Sequence, residues 1–318
     1  MTIDLAEIER FAIEVAEAAG KILIKDSQNR TSGSEVDPRI KANAVDIVTE
    51  TDEKVERFIH ERISETYPDH AFVGEESYSA GESKKYLVSN APTWVVDPLD
   101  GTVNYVHLFP MICVLIGFCI DGKPVAGAIH APFLGQTYSA FRGGGAWLNK
   151  NIQLPFQKSV LPSNAPNGCI FACEWGKDRR NIALLNLSRK VSSFVNMAAQ
   201  VGNTSLPGMC HGVRSLGSAA LDLCFVATGA FDIWWEGGCW EWDVCAGFII
   251  VQEAGGLITT ANPPKDRKAF PDPVLGSRLY LAIRPAADAE NESGRDAQKR
   301  VVRAVWDRVE GLDYERPQ

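Results

Sequence analysis

A short apolar run that ends in two aspartates constrains this chain more than any other feature. The letters WVV at residues 94–96 are followed by DPLDGT at residues 97–102. A strand that ends this way places Asp97 and Asp100 at the rim of a sheet, where two close carboxylates repel each other unless protons or cations separate them. Gly101 permits a sharp bend, and Thr102 is typical of a helix start whose N–H groups can face an anion. The motif therefore predicts a divalent metal ion beside a phosphate group.

The composition sets limits on size, partners and compartment. With 318 residues, 45% of them apolar, the chain can bury the core of one large domain or of two packed halves. Its net charge of −8 argues against a nucleic-acid partner, although bound metal ions would still permit an anionic substrate. The first turns are acidic, unlike a secretory signal, and the longest apolar run, 111–120, is too short for a bilayer. We therefore expect a soluble cytoplasmic protein with no membrane partner.

The cysteines support the same compartment. Eight of them lie mostly within apolar stretches, no two have the spacing CxxC, and no histidine cluster stands beside them. This usage argues against a zinc site and predicts buried, reduced thiols in a cytosolic protein.

Hydrophobic spacing predicts the elements of the first half. Apolar residues at helical intervals indicate helices over residues 4–25 and from about 51 to 67, with a polar surface loop at 27–39 between them. Strands are expected at 71–73, 93–96, 111–120, 125–130 and 136–142, with a hairpin turn at Asp121-Gly122. This half is predicted to consist of two helices on an antiparallel sheet.

The second half mixes strands and helices in blocks. Strands are expected near 169–173, before Arg214, and at 231–235, 257–260 and 279–283. Four helices are expected: over about 181–195, over a segment that begins with 217–220 and ends near Gly229, over 242–254 and over 296–309. The last residues, 311–318, are expected to form a loose tail. The chain thus reads as one α+β domain over 1–318, built from two packed halves, about 1–150 and 151–290, and closed by a C-terminal helix.

Further acidic residues stand beside predicted turns. Glu75 follows the strand at 71–73, Asp52 lies at the start of the second helix, and Asp243 begins a strongly apolar helix. Glu236 lies among tryptophans a few residues earlier. Each has two readings at this point: a helix cap or solvated turn, or part of a metal or substrate site.

Taken in order, these segments resemble the inositol monophosphatase family, which comprises magnesium-dependent, lithium-sensitive sugar-phosphate phosphatases. The resemblance runs from about residue 5 to residue 285 and rests on the following residues and motifs: Lys41, Asp52, GEES at 74–77, DPLDGT at 97–102, GSAA at 217–220, Glu236 and WDVCAG at 242–247. The chain departs from the second signature at Cys245, where alanine is common, and a small thiol should be tolerated there. The resemblance implies a layered αβαβα sandwich of the inositol monophosphatase and fructose-1,6-bisphosphatase type.

The same resemblance implies a set of catalytic and metal-binding residues. Glu75, Asp97 and the carbonyl of Leu99 would hold a first Mg²⁺, and Asp97, Asp100 and Asp243 a second. A third ion would bind more weakly, at Glu75. Thr102, hydrogen-bonded to Asp52, would orient and deprotonate the attacking water, so the catalytic set is Asp52, Thr102 and Glu75.

Substrate contacts are implied in the same way. The backbone N–H groups of Gly101 and Thr102 would grip the phosphate. The alcohol part would meet residues from both halves, namely Ser218, Ala219, Glu236, Asp100 and Asp243. Lys41 would be a cation on an entrance loop, and the family suggests a homodimer.

The resulting hypothesis is a Mg²⁺-dependent phosphomonoesterase for inositol monophosphate or a related polyol or sugar phosphate. Two alternatives stay open at this point. One is a phosphatase for another small phosphate in a catabolic pathway. The other is a non-catalytic protein that binds a phosphorylated metabolite and acts as a regulator.

Overall fold

The computed structural model describes residues 3–31, 39–40, 47–79, 88–180, 182, 185–200 and 208–315. These ranges hold eight helices: α1 (Leu5–Thr31), α2 (Glu50–Thr66), α3 (Glu75–Ser79), α4 (Thr102–Val106), α5 (Asn186–Ala198), α6 (Ala219–Thr228), α7 (Glu241–Glu253) and α8 (Gly294–Trp306). They also hold the strands β1 (Arg39–Ile40), β2 (Ile47–Val48), β3 (Ala71–Gly74), β4 (Thr93–Asp100), β5 (Cys113–Ile120), β6 (Lys123–Ala131), β7 (Gln136–Phe141), β8 (Gly145–Leu148), β9 (Ile152–Gln153), β10 (Ile170–Ala172), β11 (Gly212–Arg214), β12 (Ile233–Gly237), β13 (Leu257–Thr259) and β14 (Leu279–Ile283). None of the helices in these ranges combines the length and apolar character that crossing a membrane requires.

Two sheets organise the chain, beside the short pair β1–β2. The larger has seven strands in the order β3-β4-β5-β6-β7-β8-β9, and the smaller has five in the order β11-β10-β12-β14-β13. The expected antiparallel arrangement of the first half is wrong for one edge, because β3 runs parallel to β4. The hairpin between β5 and β6 is confirmed: Asp121 and Gly122 both have left-handed φ values, 52° and 71°, which match the twist of the flanking strands.

Alternation along the strands separates the layers. On β4, Trp94 and Val96 pack with α1 and α2, whereas Val95 faces the opposite side and packs with α6 and α7. On β12, Trp234 joins that same middle layer, while Trp235 packs outward with α8. The order is therefore helices, sheet, helices, sheet, helices, and the predicted αβαβα sandwich is confirmed.

Several predicted bounds need correction. Helix α1 continues to Thr31, through the first residues of the expected loop at 27–39, because the Ser27 hydroxyl donates to the Ile24 carbonyl (2.7 Å) and stays within the helix. Residues 32–38 of that loop lie outside the described part of the chain. Strand β4 extends four residues past the predicted end, to Asp100, and so contains the acidic motif itself. Helix α5 begins at Asn186, later than predicted.

The tail expected to be loose is instead packed from residue 311 to 315. Leu312 is 3% exposed, and its N–H donates to Asn262 Oδ1 (2.8 Å). The Asp313 N–H donates to Asn186 Oδ1 (2.8 Å). Two asparagine side chains, of the buried Asn186 and the half-buried Asn262, therefore supply the hydrogen bonds that a free tail would take from water. Residues 316–318 lie outside the described ranges. The division into halves near residue 150 stays a prediction.

The middle helix α7 approaches the larger sheet most closely at Gly117 on β5. A Cβ at this position would lie 2.4 Å from Cys245 Sγ and 2.9 Å from Cys245 Cβ. The thiol of Cys245 is itself 3.4 Å from that of Cys119. Glycine on the strand thus leaves the space that the thiol on the helix fills.

We expect Gly117→Ala to lower the free energy of unfolding by about 1–3 kcal/mol, because it overpacks this contact. Urea denaturation followed by circular dichroism measures the change. Cys245→Ala, made in the same chain, should restore part of the loss because it removes the nearer clashing atom. Identical midpoints for Gly117→Ala and the unmodified chain would contradict the packing described.

Candidate active site

The acidic motif lies at the end of β4, where the strand departs from regular pairing. Its register against β5 shifts between Asp97 and Asp100, so the two side chains do not follow simple alternation. The Leu99 N–H donates to Asp97 Oδ1 (2.9 Å), which fixes the rotamer of Asp97, and this residue is 1% exposed. The irregular strand end therefore holds a carboxylate rigidly inside the protein.

Three carboxylates from different elements meet at this point. Oxygens of Glu75, Asp97 and Asp243 all lie within 4.8 Å of one another. Glu75 begins α3 directly after β3, and because β3 runs parallel to β4, their carboxyl ends lie side by side. Asp243 lies in the first turn of α7, where it accepts a hydrogen bond from the Trp240 N–H (2.7 Å). Asp243 therefore both caps α7, as one reading predicted, and lies in a carboxylate cluster together with Glu75.

The carboxylates of the cluster are close enough to favour a bound positive charge. Burial raises the pKa of Asp97 well above its usual range, and the neighbouring Glu75, Asp100 and Asp243 raise it further. Burial, again with Glu75 and Asp100, raises the pKa of Asp243 to about 8. Lys177 lies 3.8 Å from Glu75, but its side chain is 56% exposed. Closely spaced hard oxygens that resist joint ionisation are suited to a divalent cation, so the residues present fit a bound Mg²⁺.

Asp100 is placed differently from the other predicted ligands. Its Oδ2 accepts from the Ser218 hydroxyl (2.5 Å) and from the Ala220 N–H (3.1 Å), at the start of α6. Burial raises its pKa to about 6, partly offset by the Ser218 hydrogen bond. Among the described residues, the group that meets within 4.8 Å contains Glu75, Asp97 and Asp243 and does not include Asp100.

Thr102 and Asp52 meet as predicted. Thr102 Oγ1 lies 3.2 Å from Asp52 Oδ1 and 3.2 Å from the Leu99 carbonyl oxygen. The other carboxylate oxygen of Asp52 accepts from the N–H of Thr49 (3.0 Å) and from its hydroxyl, which completes the capping box of α2. Asp52 is therefore both a helix cap and a partner of Thr102.

Gly101 connects β4 to α4 in a conformation that favours glycine. Its φ is 87°, and a Cβ here would lie 2.8 Å from the Met111 carbonyl oxygen. Gly101 and Thr102, the predicted phosphate-binding residues, both line the cavity described next.

A cavity of about 480 Å³ connects the acidic cluster to the second half of the chain. Most predicted site residues line it, namely Glu75, Asp97, Leu99, Asp100, Gly101, Thr102, Ala219, Glu236 and Asp243. Ser218 and Asp52 do not line it: Ser218 is 1% exposed, and its hydroxyl binds Asp100 and caps α6 through the Leu221 N–H (3.2 Å), whereas Asp52, also 1% exposed, reaches Thr102. The expected contact of Ser218 with substrate stays a prediction; in this structure its side chain anchors Asp100. Lys41 lies outside the described residues.

Several residues of the cavity wall escaped the sequence analysis. Arg278 stacks on the ring of Trp240, 4.1 Å from its centroid, and Tyr314 comes from the supposedly loose tail. Behind the wall, Lys190 is buried and forms an ion pair with Glu236. The signal for Lys190 was available: it occupies the inward face of α5 in a series at helical spacing, Asn186, Lys190, Ser193 and Met197.

Comparison with known proteins identifies the family. The sequence model of the Inositol monophosphatase family matches residues 4–310. The chain belongs to the inositol monophosphatase family. Members of this family are phosphoric monoester hydrolases, so the chain is an enzyme of that class.

Individual relatives cover nearly the whole chain. Quinic acid degradation cluster protein x of Neurospora crassa is 55% identical over 329 residues, covering 99% of this chain and 97% of that protein. Inositol monophosphatase 2 of Saccharomyces cerevisiae is 36% identical, covering 98% of each. The solved structure of inositol monophosphatase from Anabaena matches with a TM-score of 0.67 at 26% identity, covering 95% of both chains.

The raised pKa values predict how the stability of this family member depends on pH without metal. The unfolded chain loses these carboxyl protons near pH 4, whereas the folded chain holds them to about pH 6 at Asp100 and about pH 8 at Asp243. The folded state therefore binds more protons in this window, and the free energy of unfolding falls as pH rises through it. In EDTA, we expect the melting temperature to fall from about pH 5 to about pH 9.

Circular dichroism with and without Mg²⁺ measures this effect. Mg²⁺ should raise the melting temperature more at the alkaline end, because there it meets ionised carboxylates and need not displace protons. Asp243→Asn should flatten the EDTA curve. A Mg²⁺ effect that is equal at both ends of the range would contradict the assignment of these oxygens to a metal site.

Proposed function

We propose that this phosphoric monoester hydrolase acts on inositol monophosphate or a related polyol or sugar phosphate and requires Mg²⁺. One observation carries the proposal: the carboxylates of Glu75, Asp97 and Asp243 and the residue Thr102 share the wall of a single cavity. Its volume of about 480 Å³ suits a small phosphorylated alcohol.

The donor set supports Mg²⁺ as the cofactor. Glu75, Asp97 and Asp243 would hold it through carboxylate oxygens, with the Leu99 carbonyl and Asp100 as further oxygen donors, and we propose two or three ions in all. When bound, Mg²⁺ supplies Lewis acidity, which lowers the pKa of water and neutralises charge on the phosphoryl group.

The residues around Thr102 are arranged to orient water and phosphate. Asp52 Oδ1 can accept the Thr102 hydroxyl proton, which leaves Thr102 Oγ1 to accept a proton from a water molecule in the cavity. Asp52 keeps its position because its other oxygen is committed to the cap of α2. The N–H groups of Gly101 and Thr102, at the bend where glycine is required, would bind phosphate oxygens.

The physiological substrate is the finer part of the proposal. The Saccharomyces cerevisiae relative is named an inositol monophosphatase, which supports inositol monophosphate. The Neurospora crassa relative is named for a cluster that degrades quinic acid, which favours the alternative of a phosphatase for another small phosphate in a catabolic pathway. The complete set of Glu75, Asp97, Asp243, Thr102 and Asp52 argues against a purely regulatory protein.

A panel of phosphate esters tests the proposal. We expect phosphate release from myo-inositol 1-phosphate or a related polyol phosphate that requires Mg²⁺, is abolished by EDTA and is inhibited by Li⁺. The panel also includes phosphorylated polyols that carry a carboxylate. Phosphate release mainly from these esters would favour the catabolic alternative. Release of no phosphate from any ester, with binding detected by calorimetry, would favour the regulatory protein.

Asp97→Asn tests the metal assignment. We expect activity to fall by at least about a hundred-fold, because even partners that merely orient metal ligands cost up to that amount. In EDTA the variant should be as stable as the unmodified chain or more stable, since the amide cannot take the negative charge that burial and the neighbouring carboxylates disfavour at this position. Phosphate release and thermal unfolding are the measurements.

Asp121→Asn is the matched control for this substitution. Asp121 lies in the exposed β5–β6 hairpin, and asparagine tolerates its left-handed φ of 52°. Its activity should be unchanged. Normal turnover by Asp97→Asn would mean that the cluster does not hold the catalytic metal.

Two further expectations accompany the proposal. Eight free cysteines support a reducing compartment such as the cytoplasm. The homodimer implied by the family resemblance stays a prediction that light scattering of the purified chain can check.

A further inference from the structure

A buried ion pair lies directly behind the substrate side of the cavity. Lys190, on α5, is 0% exposed and is paired with Glu236, on β12, which is 2% exposed. The Lys190 ammonium also donates to the Glu174 carbonyl (2.7 Å), and it lies 5.8 Å from the centroid of the Tyr314 ring. Nothing in the assigned chemistry of the acidic cluster uses this lysine.

The Glu236 carboxylate is held on both oxygens. Oε1 accepts from Lys190 and from the Gly237 N–H (2.9 Å), and Oε2 accepts from the Glu174 N–H (2.6 Å). Glu236 nevertheless lines the cavity. Its charge is thus fixed in orientation at a surface that a bound molecule can touch.

Stability alone is a poor reason to keep such a pair. Removing two charges from water costs about as much as their attraction returns, and an apolar pair of similar size is often as stable. The pair also lies at the cavity wall, where a charged acceptor can meet a ligand. Its position therefore indicates a role in binding.

We propose that Lys190 is a positioning residue: it keeps Glu236, whose contact with the substrate alcohol the family resemblance already implies, as a charged hydrogen-bond acceptor, and this support from Lys190 sets the preference for polyol phosphates over phosphate esters without hydroxyls. The inference rests on the proposed function, since it assumes that the alcohol part of the substrate lies against Glu236. Lys190 does not itself touch the substrate.

The charges around Glu236 explain why a lysine is needed. Burial raises the pKa of Glu236, and Lys190 opposes that rise. The titratable groups that face Glu236 come from several elements: Lys190 on α5, Glu174 and Cys173 after β10, Asp222 on α6, Cys239 after β12, and Tyr314 in the C-terminal segment. Lys190 is the one cation in this set of described groups. Without it, nothing in this set would oppose the rise in the pKa of Glu236, and the charged form of the carboxylate would be less favoured.

A matched pair of substrates isolates this contact. Myo-inositol 1-phosphate and cyclohexyl phosphate have the same six-membered carbon ring, but the second has no hydroxyl groups. Both are assayed at saturating Mg²⁺ with the unmodified chain, Lys190→Met, Lys190→Arg and, as control, Lys299→Met on the distant helix α8. The measured quantity is the ratio of kcat/KM for the two esters, in which effects on the metal ions and on the phosphate cancel.

We expect the unmodified chain to prefer the inositol ester and Lys190→Met to lower that preference by about ten- to a hundred-fold, as for the loss of a hydrogen bond to a charged group. The loss should lie mainly in KM for the inositol ester, with cyclohexyl phosphate changed by less than about two-fold. Lys190→Arg should retain part of the preference because it keeps the charge, and Lys299→Met should retain all of it.

A pH profile separates positioning from a merely structural role. In Lys190→Met, the substrate preference should rise with pH as Glu236 ionises, whereas the unmodified chain should show no such change. In Glu236→Gln the preference should be lost, and adding Lys190→Met should lower it no further. These glutamine variants remain informative if Lys190→Met alone fails to fold.

The possible results distinguish a failure of this inference from a failure of the proposed function. An unmodified chain that hydrolyses both esters without preference, or a Lys190→Met chain whose preference is unchanged, overturns the inference and leaves the proposed function standing. Equal losses on both esters, or losses in Lys190→Met and Glu236→Gln that add, also overturn it. A chain that releases phosphate from neither ester, nor from any other in the panel, overturns the proposed function and this inference with it.

Discussion

Repulsion among buried carboxylates is the constraint on which the rest of the site depends. Glu75, Asp97 and Asp243 come from three different elements, and the fold brings their carboxylate oxygens within 4.8 Å of one another. Burial and the neighbouring carboxylates raise the pKa values of Asp97 and Asp243 above their usual range. A folded protein that holds acids in this way favours the binding of cations. The remaining geometry places this cation-binding cluster at one cavity.

The positioning of the site uses the ends of helices. Asp52 closes the cap of α2 and reaches Thr102, Asp243 caps α7 and joins the cluster, and Ser218 caps α6 while holding Asp100. Asp52, Asp243 and Asp100 are thus fixed by the same groups that begin a helix. The helices are in turn fixed by the core, since α7 lies between the two sheets and α2 packs on the outer face of β4. Rigidity of the fold and precision of the site have a common origin.

Hydrophobic spacing predicted most of the helices and strands, whereas the five layers and the site residues followed from the family resemblance; the failures have physical causes. The apolar run at residues 94–96 indicated a buried strand, but the assignment of its side chains to opposite faces came only with the structure. The extension of β4 to Asp100 escaped prediction, because a proline and two acids are poor strand formers and only pairing with β5 keeps them there. The role of Ser218 and the burial of Lys190 depend on residues more than 40 positions away. Local periodicity marked the inward position of Lys190, but only the tertiary fold supplies its partner.

The packed C-terminal segment has a consequence for how this enzyme can vary. The family match ends at residue 310, yet Tyr314 forms part of the cavity wall and Leu312 is tied to Asn262. Substitutions there touch none of the shared acidic motifs. Related chains could therefore keep an identical catalytic apparatus and still diverge in the alcohols they accept, simply by exchanging a few residues that no signature of the family records.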